Sequence, residues 1–242
     1  MIALAGPFYK NVNKSLLLIN YMSKVKTALP YIKFKKKRIA ISWLKRSMDL
    51  LFCLASLPLA LPLGLILGLY IKMDSRGSVI YRQERIGREG KRFIIYKFRT
   101  MIENADMILE KHLADSPELA REWRDNQKLK ADPRLTRAGR FLRKTSLDEL
   151  PQLLNIMIGN MSFVGPRPIV EEEKARYGSH FDEYCGVLPG LTGLWQVSGR
   201  NNTSYEERVE YDMQYINNWS LKLDLWIIVR TIPQIIKSYG AY

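Results

Sequence analysis

Leu50-Leu-Phe-Cys-Leu-Ala-Ser-Leu-Pro-Leu-Ala-Leu-Pro-Leu-Gly-Leu-Ile-Leu-Gly-Leu-Tyr-Ile71 runs for 22 residues without a charge, long enough to cross a bilayer as one helix. Two features set it apart from an ordinary span. Pro58 and Pro62 lie four residues apart inside it, and each removes an N–H donor and crowds the carbonyl four residues back, which predicts a bend. Both flanks are also basic: Lys45 and Arg46 precede the run, while Lys72, Arg76, Arg82, Arg85 and Arg88 follow it. Positive residues mark the cytoplasmic side of a membrane segment, and here they mark both ends. A helix that enters the cytoplasmic leaflet, bends at Pro58 and Pro62 and returns to the same face satisfies both facts. A kinked spanning helix satisfies the first, since such kinks are tolerated in membranes.

Upstream, the charge is uneven. Residues 1–49 carry eleven Lys and Arg against Asp49 alone, so that segment holds +10 of the chain's +14. A basic arm leading into an apolar run is drawn to an anionic membrane surface, and nucleic acid is not the expected partner. Within residues 1–47, Leu18, Met22, Val25 and Leu29 recur at helical spacing, which fits either an amphipathic helix lying on the membrane or a disordered arm. No cleavage context for a signal peptide precedes the apolar run. Cys53 and Cys185 give no disulfide framework and fit a reducing setting. His112 and His180 stand alone, which argues against a histidine metal site. A chain of 242 residues suits one core with a membrane element.

Downstream, Val79 to Gln83 and Phe93 to Phe98 alternate as two strands around a loop with Gly87, Glu89 and Gly90. Helical pattern runs from about Glu103 to Lys128, broken near Pro117, and again from about Leu135 to Lys144. Ser204-Tyr-Glu-Glu207 is a capping box that opens a helix reaching about Asn217. Leu221 to Tyr239 places Leu225, Ile228, Ile232, Ile235 and Tyr239 on one helical face. That segment is too polar to span, but Trp219, Trp226, Tyr239 and Tyr242 suit the headgroup layer, and packing on the core is the other reading.

The chemistry concentrates between Asp132 and Pro168. Arg134, Arg137, Arg140 and Arg143 recur every third residue and lead into Asp148-Glu149. Guanidinium forks at that spacing can take hold of phosphate oxygens. Carboxylates beside them need a metal ion or a nucleophilic role to coexist with an anionic substrate. Ser146-Leu-Asp-Glu149 also fits an ordinary capping box, with Glu149 returning to the Ser146 backbone. An aspartate at a helix N-terminus near Arg143 is expected to be stabilised in its charged, nucleophilic form. Pro151 would leave the carbonyl of Leu147 unpaired in a regular helix, so the local backbone is expected to be irregular. Arg167 sits in Gly165-Pro-Arg-Pro168, where Pro166 and Pro168 stiffen the loop; a structural turn with a solvated arginine is the plainer reading.

From about Lys45 to the C-terminus the chain resembles the bacterial monotopic phosphoglycosyl transferases, also called bacterial sugar transferases. The matching elements are Ile71-Lys-Met-Asp-Ser-Arg-Gly-Ser, Arg82-Gln-Glu-Arg-Ile-Gly, Tyr96-Lys-Phe-Arg-Thr-Met, Asp132-Pro-Arg-Leu-Thr, Arg143-Lys-Thr-Ser-Leu-Asp-Glu-Leu-Pro-Gln-Leu, Val164-Gly-Pro-Arg-Pro and Pro189-Gly-Leu-Thr-Gly-Leu-Trp-Gln-Val-Ser-Gly-Arg. The resemblance implies a helix-rich α+β, monotopic membrane protein. Its parts would be a basic arm (1–44), a re-entrant helix broken at Pro58 and Pro62 (45–72), and a cytoplasmic catalytic domain (73–242) with a small β-hairpin, interfacial amphipathic helices and a membrane-associated C-terminal helix. It also implies attachment to the cytoplasmic face of a bacterial inner membrane.

By the same resemblance the activity is transfer of a hexose 1-phosphate from a UDP-sugar to undecaprenyl phosphate, which opens polysaccharide or glycoconjugate assembly. Asp148 would be the nucleophile on the β-phosphorus, releasing UMP and leaving a phosphosugar-aspartyl enzyme. Glu149 would hold Mg²⁺, and Arg143 and Arg167, with Pro166 and Pro168, would form the substrate-binding groups. Lys97, Arg99 and Arg134 match basic positions of the family, with phosphate or fold support as their roles. Leu194-Trp-Gln-Val-Ser-Gly-Arg200 resembles members using UDP-galactose or UDP-glucose. One position departs from the pattern: Leu61 stands before Pro62 where the family carries serine. The chain lacks the several N-terminal spans of larger members and resembles a shorter form, compatible with a monomer or a dimer. A membrane-attached basic protein that binds nucleic acid or other polyanions is the alternative from a different class, and steep salt dependence spread over the arm would mark it. A catalytically silent scaffold is a third, and the intact Asp148-Glu149 pair argues against it.

Overall fold

The computed structural model describes residues 43–126, 129, 132–199 and 203–236. The expected arm helix, the side chain of Ile235, and Tyr239 and Tyr242 lie outside them. The first element is α1, Trp43–Asp74, a single helix of 32 residues. Leucine-rich and nearly free of β-branched residues, it loses little rotamer freedom on coiling. The expected break does not interrupt it: both Pro58 and Pro62 lie inside the helix. Lys45, Asp49, Cys53, Ala60, Leu67 and Ile71 form one buried stripe along its inner side, on both sides of the prolines. The outer side is apolar and bare, with Leu51, Leu54, Leu59, Leu61, Leu65, Ile66 and Leu69 all exposed.

Both ends of α1 are held by the same body. Near its start Arg46 donates to the carbonyls of Ile156 and Met157, and Asp49 accepts from Ser162 Oγ and the Phe163 amide, each at 3.0 Å. Near its end Asp74 accepts from the Ala138 amide at 3.0 Å, while Leu67 and Ile71 pack with Phe98, Ala138 and Leu142. A helix of this length would be about 48 Å long if straight.

Strands β1 (Ile80–Ile86) and β2 (Arg92–Phe98) form an antiparallel hairpin, with Ile80 opposite Phe98 and Ile86 opposite Arg92. β1 runs three residues beyond the expected Gln83, because the reversal is confined to residues 87–91, where Glu89 and Gly90 adopt left-handed φ of 62° and 69°. Then come α2 (Ala105–Asp115) and α3 (Pro117–Asn126), parted before Pro117 as expected, and α4 (Arg137–Thr145), whose Thr136 N-cap accepts from the Gly139 amide at 2.8 Å. The chain continues through α5 (Gln152–Ile158), β3 (Ser162–Val164), α6 (Lys174–Tyr177), α7 (Phe181–Cys185) and β4 (Gly190–Thr192), the last pairing in parallel with β3. The helices α8 (Leu194–Ser198), α9 (Tyr205–Asn218) and α10 (Leu221–Ile236) close the described chain. The Ser204–Glu207 capping box forms in both directions, at 2.9 and 3.1 Å.

The inward face of α10 is mixed, with Leu223, Ile227 and Ile228 packed in the core and polar residues among them. Its inward side carries Asp224, Ile227, Thr231 and Gln234, with Thr231 bonded to Thr192 Oγ1 and Gln234 to the carbonyl of Val197. Leu225, Trp226, Val229 and Ile232 point outward. Asp224 explains the polar share of that face. Its carboxylate receives Lys45 Nζ at 2.6 Å, Tyr215 OH at 2.8 Å and Trp219 Nε1 at 3.1 Å, joining α10 to the start of α1 inside the protein. Lys45, expected as a membrane-flanking charge, is instead buried in this network.

Candidate active site

Helix α4 ends at Ser146, which takes a left-handed φ of 57° while its amide reaches back to the carbonyl of Arg143. The chain then makes one 3-10 turn, Leu147–Glu149, before Pro151 and α5. The backbone is irregular as expected, but the carbonyl of Leu147 is satisfied by the amide of Leu150 at 3.2 Å. The ordinary capping box is absent: Ser146 makes no side-chain cap. Glu149 turns away from it and accepts from Lys97 Nζ on β2 at 2.8 Å.

That exchange of partners sets the two carboxylates apart. Glu149 keeps 35% of its side-chain exposure but is crowded by protein atoms. Burial opposes its charge, but Lys97 first, and then Arg167 and Gln152, together outweigh it, so the net pKa is lowered. Asp148 departs from the expected direction. Burial, and then the Glu149 charge beside it, push it up to about 6, against smaller opposing pulls from Lys97 and Arg143. A three-residue 3-10 turn offers little dipole, and the Arg143 Nε is bonded to Thr100 Oγ1 at 3.1 Å rather than to Asp148.

The arginine ladder splits by environment. Arg134 lies before α4, buried, with both carboxylate oxygens of Asp132 on its fork at 2.8 and 2.7 Å and its guanidinium 5.0 Å from the Trp123 ring. Of the two expected roles, phosphate or fold support, this pairing with Asp132 supplies the second. Arg137 and Arg140 are exposed, and only Arg143 turns toward the acids. Gly139 permits this: a Cβ there would stand 1.9 Å from the carbonyl oxygen of Thr100, so α4 presses directly on the end of β2. Arg99 serves the fold, donating to the carbonyl and hydroxyl of Ser75.

The Gly165-Pro-Arg-Pro168 loop leaves β3 where β4 crosses it. A Cβ on Gly165 would lie 2.5 Å from the Leu188 carbonyl oxygen, and the Gly190 amide donates to the carbonyl of Pro166 at 2.7 Å. Arg167 is thereby carried to a cleft of about 320 Å³, counting its open mouth. Arg85, Lys97, Arg167 and Glu149 give the cleft its charge, while Gln152 and Gln196 add neutral amides. Ile95, Pro168 and Leu191 wall it. Arg167 forms no hydrogen bond or ion pair among the described residues, unlike Arg85, which holds the carbonyl of Pro168. The amide nitrogen of Gln152 favours the charged form of Glu149 without reaching hydrogen-bond geometry.

Of the expected site residues, Glu149, Arg167 and Pro168 share this cleft, Asp148 lies on the acid turn, Arg143 faces that turn from the last turn of α4, and Pro166 contributes its carbonyl to the crossing. Pro58 and Pro62 lie on the outer side of α1. Sequence reading left Lys97 without a definite role and passed over Arg85, Gln152 and Gln196. The signal for Lys97 was its place in the Tyr96-Lys-Phe-Arg-Thr-Met motif; the others acquire meaning only from the cleft.

Among the described residues no three His, Cys, Asp or Glu side chains cluster. Mg²⁺ commonly takes one or two carboxylates and completes its shell with water and substrate phosphate, so the donor set of Glu149 with a diphosphate fits it once Lys97 yields that carboxylate. A partly solvated acid next to a raised aspartate and an unpaired arginine can bind a diphosphate and present a nucleophile to it.

A family model described as bacterial sugar transferase matches residues 40–238. A UDP-galactose-lipid carrier transferase of Erwinia amylovora is 50% identical over 200 residues, which cover 83% of this chain and 42% of that relative. The chain thus spans less than half of that longer protein. The exopolysaccharide production protein ExoY of Rhizobium meliloti is 50% identical over 198 residues, covering 82% of this chain and 88% of the relative. A UDP-glucose:undecaprenyl-phosphate glucose-1-phosphate transferase of Caulobacter vibrioides is 40% identical over 214 residues, 85% of this chain and 74% of its own.

Proposed function

Because this chain belongs to the bacterial sugar transferase family, we propose that it moves a hexose 1-phosphate, galactose or glucose, from a UDP-sugar to undecaprenyl phosphate at the cytoplasmic face of a bacterial inner membrane. The observation that carries the reading is the acid turn: Asp148 raised to about 6, Glu149 held charged, and Arg143 and Arg167 turned to the same place. The relatives named for galactose and glucose transfer to lipid carriers support the substrate class.

The Asp148 carboxylate oxygen attacks the β-phosphorus of the donor, and the bond from that phosphorus to the oxygen bridging to the α-phosphate breaks, releasing UMP. An oxygen of undecaprenyl phosphate then attacks the same phosphorus, the bond to Asp148 breaks, and the carboxylate returns. No proton transfer is required, because both nucleophiles are anions. Arg143 and Arg167 bind phosphate oxygens as charge develops, and Lys97 keeps the acids ionised. Glu149 would hold Mg²⁺, which when bound neutralises diphosphate charge.

The bare outer side of α1, with both its ends docked on one polar body, supports a helix that dips into one leaflet rather than crossing. The outward residues of α10 and Phe141, which stacks edge-on against Tyr70, extend that apolar surface and suit the headgroup boundary. The test is single turnover in detergent with radiolabelled UDP-galactose or UDP-glucose and Mg²⁺ but no lipid. Stoichiometric UMP and label on the protein are expected, both lost in Asp148→Asn. UMP that appears only after undecaprenyl phosphate is added would refute the covalent order.

A further inference from the structure

The end of β2 sends two side chains toward the acid turn. Lys97 reaches Glu149, and Thr100, just past the strand, reaches Arg143. Thr100 is buried and its own backbone is pinned. Its carbonyl accepts from the Thr136 amide at 3.1 Å, and two residues on the Ile102 amide donates to the carbonyl of Arg134 at 2.9 Å, so this segment lies along the entry to α4. Gly139 lets the helix press on the Thr100 carbonyl, and Arg143 follows Gly139 by four residues on the same helical face. The close approach at Gly139 thereby brings the Thr100 side chain to the arginine, whose Nε donates to Thr100 Oγ1 at 3.1 Å.

We infer that Thr100 is a positioning residue: its hydroxyl fixes the plane of the Arg143 guanidinium and leaves the terminal fork free for the phosphate that Asp148 attacks. This rests on the proposed reading of Arg143 as a phosphate arginine. Nε lies next to the last rotatable bond of the side chain, so a hydrogen bond there sets the plane and spends one of five N–H groups. Arg143 forms no other side-chain hydrogen bond or ion pair among the described residues, and both terminal nitrogens keep contact with solvent. Of the two acids whose charges bear on Arg143, Asp132 is already held by the Arg134 fork, which leaves Asp148. Without the hydroxyl the guanidinium has to be ordered while charge develops on the phosphorus, and the chemical step slows.

The test follows lipid-free UMP release to completion in a single turnover with UDP-galactose or UDP-glucose, where the rate constant reports the active molecules and the amplitude counts them. Thr100→Val keeps the shape and removes the hydroxyl. Its saturating rate constant is expected to fall about five- to thirtyfold at full amplitude, with the half-saturating donor concentration within about twofold of the parent. Thr100→Ser restores the acceptor and should run within about threefold of the parent. In an Arg143→Met background, itself slow, Thr100→Val should change the rate constant by less than about twofold, because the group it acts through is gone. A parental rate constant in Thr100→Val would overturn the inference, and so would a fall in amplitude alone, partial or complete, which would make Thr100 a residue of the fold. A serine variant as slow as the valine one, or an undiminished valine effect in the Arg143→Met background, would also overturn it. A parental rate in Arg143→Met alone would overturn the reading of Arg143, and absence of UMP release from the unaltered protein would overturn the proposed function as a whole.

Discussion

Replacing Asp224 with Asn isolates what the buried network contributes to holding α1. Lys45 and Asp224 keep 10% and 5% of their side-chain exposure and meet at 2.6 Å. At an effective dielectric of about 20 their attraction is about 6 kcal/mol. Asparagine still offers Lys45 a neutral acceptor worth about 1 kcal/mol. Breaking one side of a buried pair generally costs about 3–5 kcal/mol, because the other charge is stranded. A loss of about 3 kcal/mol follows, and at about 2–4 °C per kcal/mol for a chain of this size the detergent-solubilised protein should melt about 6–12 °C lower. The readout is intrinsic tryptophan fluorescence on heating, with activity after cooling as a check on reversibility. Lys45→Met with Asp224→Leu should recover most of the loss, since neither charge is left behind and Tyr215 still donates to the carbonyl of Val164 at 3.0 Å. A single variant melting within about 2 °C of the parent, or a double variant no better than the single, would refute the account.

Asp148, raised to about 6, is protonated and unreactive below that pH, so lipid-free UMP release should rise from pH 5 to pH 7 and level off above; a flat profile would contradict the assignment. Lys97→Met removes a cation that lowers Asp148, so the acidic limb should move to higher pH, whereas an unmoved limb would leave Lys97 a purely structural partner of Glu149. Gly190→Ala would place a Cβ 2.1 Å from the Gly165 amide nitrogen, and a loss of about 2–4 kcal/mol in thermal stability is expected; a neutral effect would mean the β3–β4 crossing is looser than it stands. With Cys53 and Cys185 replaced by serine, Ala40→Cys and Arg76→Cys should react with an impermeant thiol reagent from the same side of sealed membranes, and opposite-side labelling would restore a spanning α1.

By itself the sequence determined the features that depend on neighbours along the chain. An uncharged run of 22 residues is helical and apolar wherever it lies, alternation over Phe93–Phe98 makes a strand, and Ser204 with Glu207 caps its own helix. The motif around Asp148-Glu149 was legible in the same way, as residue types in order. Only the tertiary structure decided which groups face each other and how dry they are. Lys97 reaches Glu149 across 52 residues and Lys45 reaches Asp224 across 179. Those contacts turned the acid turn from a capping box into a charged pair with unequal affinities for protons. They also drew Asp224 of α10 inward beside Ile227, while Leu225, Trp226, Val229 and Ile232 stayed exposed. Short-range patterns fix backbone conformation, because dihedral preferences and local hydrogen bonds act over a few residues. Partner choice and desolvation depend on packing from distant segments, and in this protein they set two adjacent carboxylates apart, Asp148 raised and Glu149 lowered.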